Sequence, residues 1–75
     1  MMKRNSRRVA TLADAGSILV LDDGSSWLIQ PDDIPRVQGW KTGARVSIGG
    51  SPDPEKSVRN MDNAEEVRAV YAGQR

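Results

Sequence analysis

Apolar and polar positions alternate in short runs, and turn-forming pairs break the pattern at close intervals. Ile18 to Leu21 and Trp27 to Ile29 flank Asp23-Gly24, while Val58 and Val67 flank Asp62-Asn63. No helical period persists beyond about two turns. β-branched residues are frequent and phenylalanine is absent, a texture that predicts short strands rather than amphipathic helices. Asp-Gly suits a two-residue type I′ turn, because both central positions need positive φ. That turn would set Leu21 opposite Ser26, Val20 opposite Trp27, Leu19 opposite Leu28 and Ile18 opposite Ile29. One face would then hold Ile18, Val20, Trp27 and Ile29, and the other Leu19, Leu21 and Leu28 with Ser26. Both faces are apolar, so the hairpin is expected to be covered on both sides, by the curl of a barrel or by another subunit.

The pair Asp62-Asn63 predicts a second hairpin, with Met61 opposite Ala64, Asn60 opposite Glu65, Arg59 opposite Glu66 and Val58 opposite Val67. Apolar meets apolar there, and the facing charges are of opposite sign. Val67, Ala69 and Tyr71 continue as alternate positions of a half-buried strand. Pro31-Asp32-Asp33-Ile34-Pro35 reads as a turn or one turn of 3₁₀ helix. Gly39 to Gly43 reads as a loop leading into a strand over Ala44–Ile48, and Gly49 to Lys56 has the composition of a mobile loop. Five to six short antiparallel strands in so few residues predict an all-β fold, a small SH3-like or OB-like barrel.

The chain has 75 residues, room for one core and one domain. It contains no cysteine and no histidine, so no disulfide framework and no ordinary zinc site can staple it. The net charge of +1 conceals a split: residues 1–8 hold four of the eleven basic residues and no acid, which leaves seven basic against ten acidic residues, a net of −3. The expected organisation is a flexible basic arm over 1–8, a barrel over 9–72 and a tail over 73–75. The basic start is like the front of a secretory signal, but Asp14 and Gly16 interrupt the apolar run behind it, and a cytoplasmic protein is expected. The longest apolar stretch, Ile18 to Leu21, is too short to span a bilayer, so no membrane partner is expected.

Asp23-Gly24-Ser25-x-Trp27, Asp33, Trp40-x-x-Gly43-x-x-Val46-x-Ile48, Asn60 and Val67-x-Ala69 stand in that order along the chain. Through them the chain resembles small bacterial β-barrel proteins of uncharacterised function that share an Asp-Gly-Ser-x-Trp hairpin and a Trp-x-x-Gly lead into a strand. The resemblance spans roughly residues 16–71. It implies a barrel with a tight turn, one tryptophan in the core and a second packed at a barrel end. Many of those proteins are exported, which the interrupted N-terminal run of this chain does not match.

Without His or Cys, the usual general base, the thiol nucleophile and the commonest metal ligands are missing together. The carboxylate pairs Asp22/Asp23, Asp32/Asp33 and Glu65/Glu66 are adjacent in sequence, and neighbours on a strand point to opposite faces. Neither a calcium loop nor a phosphate loop is present. No catalytic residue, metal or cofactor is therefore expected, and the chain reads as a non-enzymatic interaction module. Its partner would be a protein or a second copy of itself, met through an apolar sheet face or by edge-strand pairing. The alternative is a nucleic-acid-binding barrel that uses the basic arm. The candidate binding residues are Arg4, Arg7, Arg8, Lys41, Arg45 and Arg68, which could form a phosphate-tracking stripe beside Tyr71. Trp27 and Trp40 are expected in the core, and Tyr71 near the end of the last strand.

Overall fold

The structure, a computed structural model, describes residues 6–49 and 55–74. Six strands, β1 (Ser6–Ala13), β2 (Ile18–Leu21), β3 (Ser25–Ile29), β4 (Arg45–Ile48), β5 (Glu55–Asn60) and β6 (Glu66–Gln74), close into a barrel in the order β1-β2-β3-β6-β5-β4. Every neighbouring pair is antiparallel. The chain thus forms two three-stranded meanders, joined through the β3–β6 and β1–β4 ladders. Closure pairs each described strand on both sides, so the barrel presents no free edge for strand addition, one of the two docking modes expected from sequence.

Several boundaries differ from those expected. Arg7 and Arg8 belong to β1, where they pair with Val46 and Arg45 of β4, so the barrel begins before residue 9. Gly73 and Gln74 lie in β6, so the barrel also extends past residue 72. The expected loop over 49–56 is shorter at both ends. The Gly49 N–H donates to the Ser57 carbonyl at 2.6 Å, and Glu55 and Lys56 already pair with β6. A Cβ at Gly49 would overlap the Ser57 hydroxyl, a packing reason for glycine there. Arg4, the middle of that loop and Arg75 lie outside the described residues.

The second hairpin has the predicted register, with Val58 opposite Val67 and Arg59 opposite Glu66. Its connection is longer than two residues, however. The N–H of Ala64 reaches the Asn60 carbonyl, and the positive φ falls on Ala64 (66°) rather than on Asp62 or Asn63. The first hairpin is one residue out of the predicted register: Ile18 faces Leu28, Leu19 faces Trp27 and Val20 faces Ser26. Its turn is closed by Gly24 N–H to Leu21 C=O at 3.0 Å, and only Gly24 of the turn has positive φ, at 88°. This is the three-residue connection in which a β-turn precedes a left-handed glycine, not the type I′ turn. The slip moves every side chain of one strand to the other face relative to its partner. Leu19, Leu21, Trp27 and Ile29 consequently share the interior, whereas Ile18, Val20, Ser26 and Leu28 face outward.

The core gathers Leu19, Leu21, Val46, Val58 and Val67 from the strands. One barrel end is plugged. A 3₁₀ turn, Pro31–Asp33, runs into α1 (Ile34–Val37), which buries Val37 completely. Trp40 follows at 5 % exposure and donates its indole N–H to Glu65 Oε1 at 2.9 Å. Asp33 anchors the plug by accepting the Arg68 backbone N–H of β6 at 2.9 Å.

Candidate functional site

The opposite end is a mouth to which all six strands contribute. Arg7 of β1, Leu21 of β2, Ser25 and Trp27 of β3, Ile48 of β4, Lys56 of β5 and Tyr71 of β6 line a cavity of about 460 Å³. Its long charged residues point inward, as their partners show. Arg7 is paired with Val46 and Lys56 with Ala69, both fully buried, and directly opposed residues share a face. Tyr71 is 51 % exposed and meets the Trp27 ring edge-on, centroids 5.3 Å apart. Its hydroxyl donates to Gln74 Oε1 at 2.8 Å.

The Asp-Gly-Ser-x-Trp segment is a hydrogen-bond relay along the rim. Trp27 Nε1–H donates to Ser25 Oγ at 3.0 Å, and the Ser25 hydroxyl donates to Asp23 Oδ1 at 2.6 Å. Asp23 Oδ2 accepts Arg7 Nε–H at 2.8 Å. These contacts hold the Asp23 carboxyl at about 2, through the Ser25 hydroxyl first and Arg7 next. The bond to Asp23 raises Arg7 in turn. Ser25 is buried, and its hydroxyl links the Trp27 indole to the turn carboxylate, so the relay positions the aromatic wall.

A second surface lies outside the barrel. Ala13, Ile18, Leu28 and Val70 are successive cross-strand partners over β1, β2, β3 and β6, and Thr11, Val20, Ser26 and Gly73 form the adjoining row. Neither row contains a charge until Glu55, opposite Val70. Leu28 is 50 % exposed at the centre of the first row. On this outer side Val20 and Ser26 are also buried, at 9 % and 3 % exposure, so the exposed apolar surface of the hairpin is centred on Leu28.

The basic residues anticipated as one stripe fall into separate neighbourhoods. Arg7, Arg8 and Arg45 gather near Asp22, with Arg8 directly opposite Arg45 on the outside and its Nη1 on the Gly43 carbonyl at 3.0 Å. Lys41 lies beside Asp62 and Asn63 at the plugged end. Arg68 pairs with Glu55 at 3.4 Å, away from both. Tyr71 shares the mouth with Arg7 alone of that set. Lys56 escapes the sequence reading because its segment has the composition of a loop. A signal exists all the same: two residues beyond the Val58–Val67 pair, the same register sets Lys56 against Ala69 on the inner face.

The class these features define is a closed six-stranded antiparallel barrel, plugged at one end and open at the other. Compared with known protein families, curated proteins and solved structures, the chain has no match.

Proposed function

We propose that this barrel is a non-enzymatic interaction module that docks a protein through the outer face of β2, β3 and β6, and that its first occupant is a second copy of the chain. The observation that carries the reading is the row Ile18, Leu28 and Val70, side by side on three neighbouring strands with no charge between them. Leu28 is half exposed between the partly exposed Ile18 and Val70, and such an apolar row favours burial against another apolar surface. The row meets charge only at its edge, where Arg68 and Glu55 pair with each other, so two copies can meet along it without repulsion. A two-fold pairing would set the two rows against each other.

Sedimentation velocity across micromolar concentrations tests this. The wild type is expected to sediment as a dimer, and Leu28→Glu as a monomer with an unchanged far-ultraviolet circular dichroism spectrum. A wild type that stays monomeric at its highest soluble concentration, or a Leu28→Glu variant that dimerises equally well, refutes the reading.

One observation favours nucleic acid as a second reading. Arg8 and Arg45 oppose each other across the β1–β4 ladder, a like-charge pair that a phosphate would relieve. Retardation of a short DNA duplex at about 50 mM salt, lost in Arg8→Gln, is the expected result on that reading; no retardation removes it.

A further inference from the structure

Facing residues of a sheet tend to match in charge, because like charges directly opposite each other are destabilising. The outer face of β1, β4 and β5 breaks this rule at its centre, where Arg8 stands opposite Arg45 and both side chains are exposed. Among the described residues neither arginine forms an ion pair, and Arg8 donates one N–H to the Gly43 carbonyl at 3.0 Å. Local departures from a fold's own pattern concentrate at functional sites. In the register that pairs Val46 with Asn60, Met61 follows opposite Arg45, its N–H on the Arg45 carbonyl at 2.8 Å, and it is 55 % exposed. Arg59, exposed and opposite Ser47, is a diagonal neighbour of Arg45 on the same face, about 7–8 Å away. Acids stand at the margins: Asp22 beside Arg8, Asp62 next to Met61 in the chain, and Glu66 opposite Arg59.

We infer that this face is a docking surface for a short acidic segment of another protein, one in which carboxylates alternate with apolar side chains. Two facing guanidiniums offer paired N–H donors to a carboxylate, whose charge would also relieve their repulsion. Met61 adds a flexible, polarisable apolar surface in the same row, of the kind that adapts to a partner's side chains. The same arginines carry the nucleic-acid reading, but their surroundings favour the peptide. A nucleic-acid strand brings a phosphate at every step and would run over Asp22, Asp62 or Glu66, whereas a short segment ends before them. Nor does a phosphate backbone match an exposed apolar side chain. This face is separate from the outer face of β2, β3 and β6, so it stands or falls independently of self-association.

Heteronuclear NMR of the full chain, titrated with an acetylated and amidated tetrapeptide of alternating glutamate and leucine, tests it. The backbone signals of Arg8, Arg45 and Met61 are expected to shift saturably, and that of Leu28 to stay in place. The counterparts with glutamine for glutamate, or with serine for leucine, should each bind at least about tenfold more weakly. Arg45→Gln should weaken the glutamate–leucine peptide by a similar factor. Its Tm should equal or exceed that of the wild type, because the substitution removes the like-charge pair, whereas loss of a merely structural arginine would lower it. The inference is overturned if the peptide moves none of the three signals, if either counterpart binds as tightly, or if a folded Arg45→Gln binds like the wild type or melts well below it. It is equally overturned if a short DNA duplex moves the same signals and displaces the peptide at equal concentration and salt, which would assign the face to nucleic acid.

Discussion

Asp23 and Ser25 are joined twice, the carboxylate accepting the serine hydroxyl at 2.6 Å and its backbone N–H at 3.0 Å. The turn residue therefore fixes the start of β3 and, through Ser25, the Trp27 indole. Asp23→Ala should lower stability by about 1–2 kcal/mol in urea titrations, the low end for charge-assisted bonds because solvent screens an exposed carboxylate.

The same contact makes a pH prediction. Asp23 titrates at about 2 in the folded chain, below the roughly 3.9 of an unfolded aspartate. As pH falls below about 4 the unfolded state takes up the proton first, so this contribution, full above that range, declines until the folded carboxyl titrates near 2. Urea unfolding of Asp23→Asn should show a shallower loss of stability over that window than the wild type.

The observed register distinguishes two leucines that the type I′ register would have put on one face. Leu19 is completely buried and Leu28 half exposed. Leu19→Ala should cost about 2–5 kcal/mol and Leu28→Ala no more than about 0.5 under conditions where the chain is monomeric. Equal costs for the two would contradict the slipped hairpin.

Two alanines sit in the left-handed region, Ala15 at φ 59° and Ala64 at φ 66°. That conformation costs an L-residue roughly 1–2 kcal/mol, more than the extra chain entropy glycine brings to the unfolded state. Ala15→Gly and Ala64→Gly should each raise stability by about 0.5 kcal/mol, a gain readable as an increase in Tm.

Asn60 is buried, and its Oδ1 accepts the backbone N–H groups of Asp62 at 2.8 Å and Asn63 at 3.3 Å. Its replacement by alanine leaves those turn donors without their partner and opens a gap beside Val46, its cross-strand neighbour. Asn60→Ala should therefore lose about 1–3 kcal/mol by chemical denaturation, while Asn60→Asp, which keeps the acceptor, should lose less.

The strand texture, the second hairpin and the place of both tryptophans are legible in the chain. Val58 opposite Val67 and Arg59 opposite Glu66 agree in hydropathy and in charge, so a slip there would break two matches at once. The first hairpin lacks that protection. Both of its faces are apolar, and Gly24 can take positive φ in either turn, so hydropathy does not choose between registers. The candidate site is legible only in part. Tyr71 and Arg7 stand out in the sequence, but Lys56 sits in a stretch with loop composition, and Arg8, Lys41, Arg45 and Arg68 suggest a stripe that the barrel separates.

What the sequence determines by itself is therefore local: where strands begin and end within a few residues, which pairs can turn, and that the chain is all-β. Tertiary structure decides the register of β2 against β3, because β2 must also pair with β1 and β3 with β6, and only one register closes the ring with Leu19, Leu21 and Trp27 inside. It also decides which end is plugged and which is open. That depends on where the segment after β3 packs, a long-range contact that no short window of sequence contains.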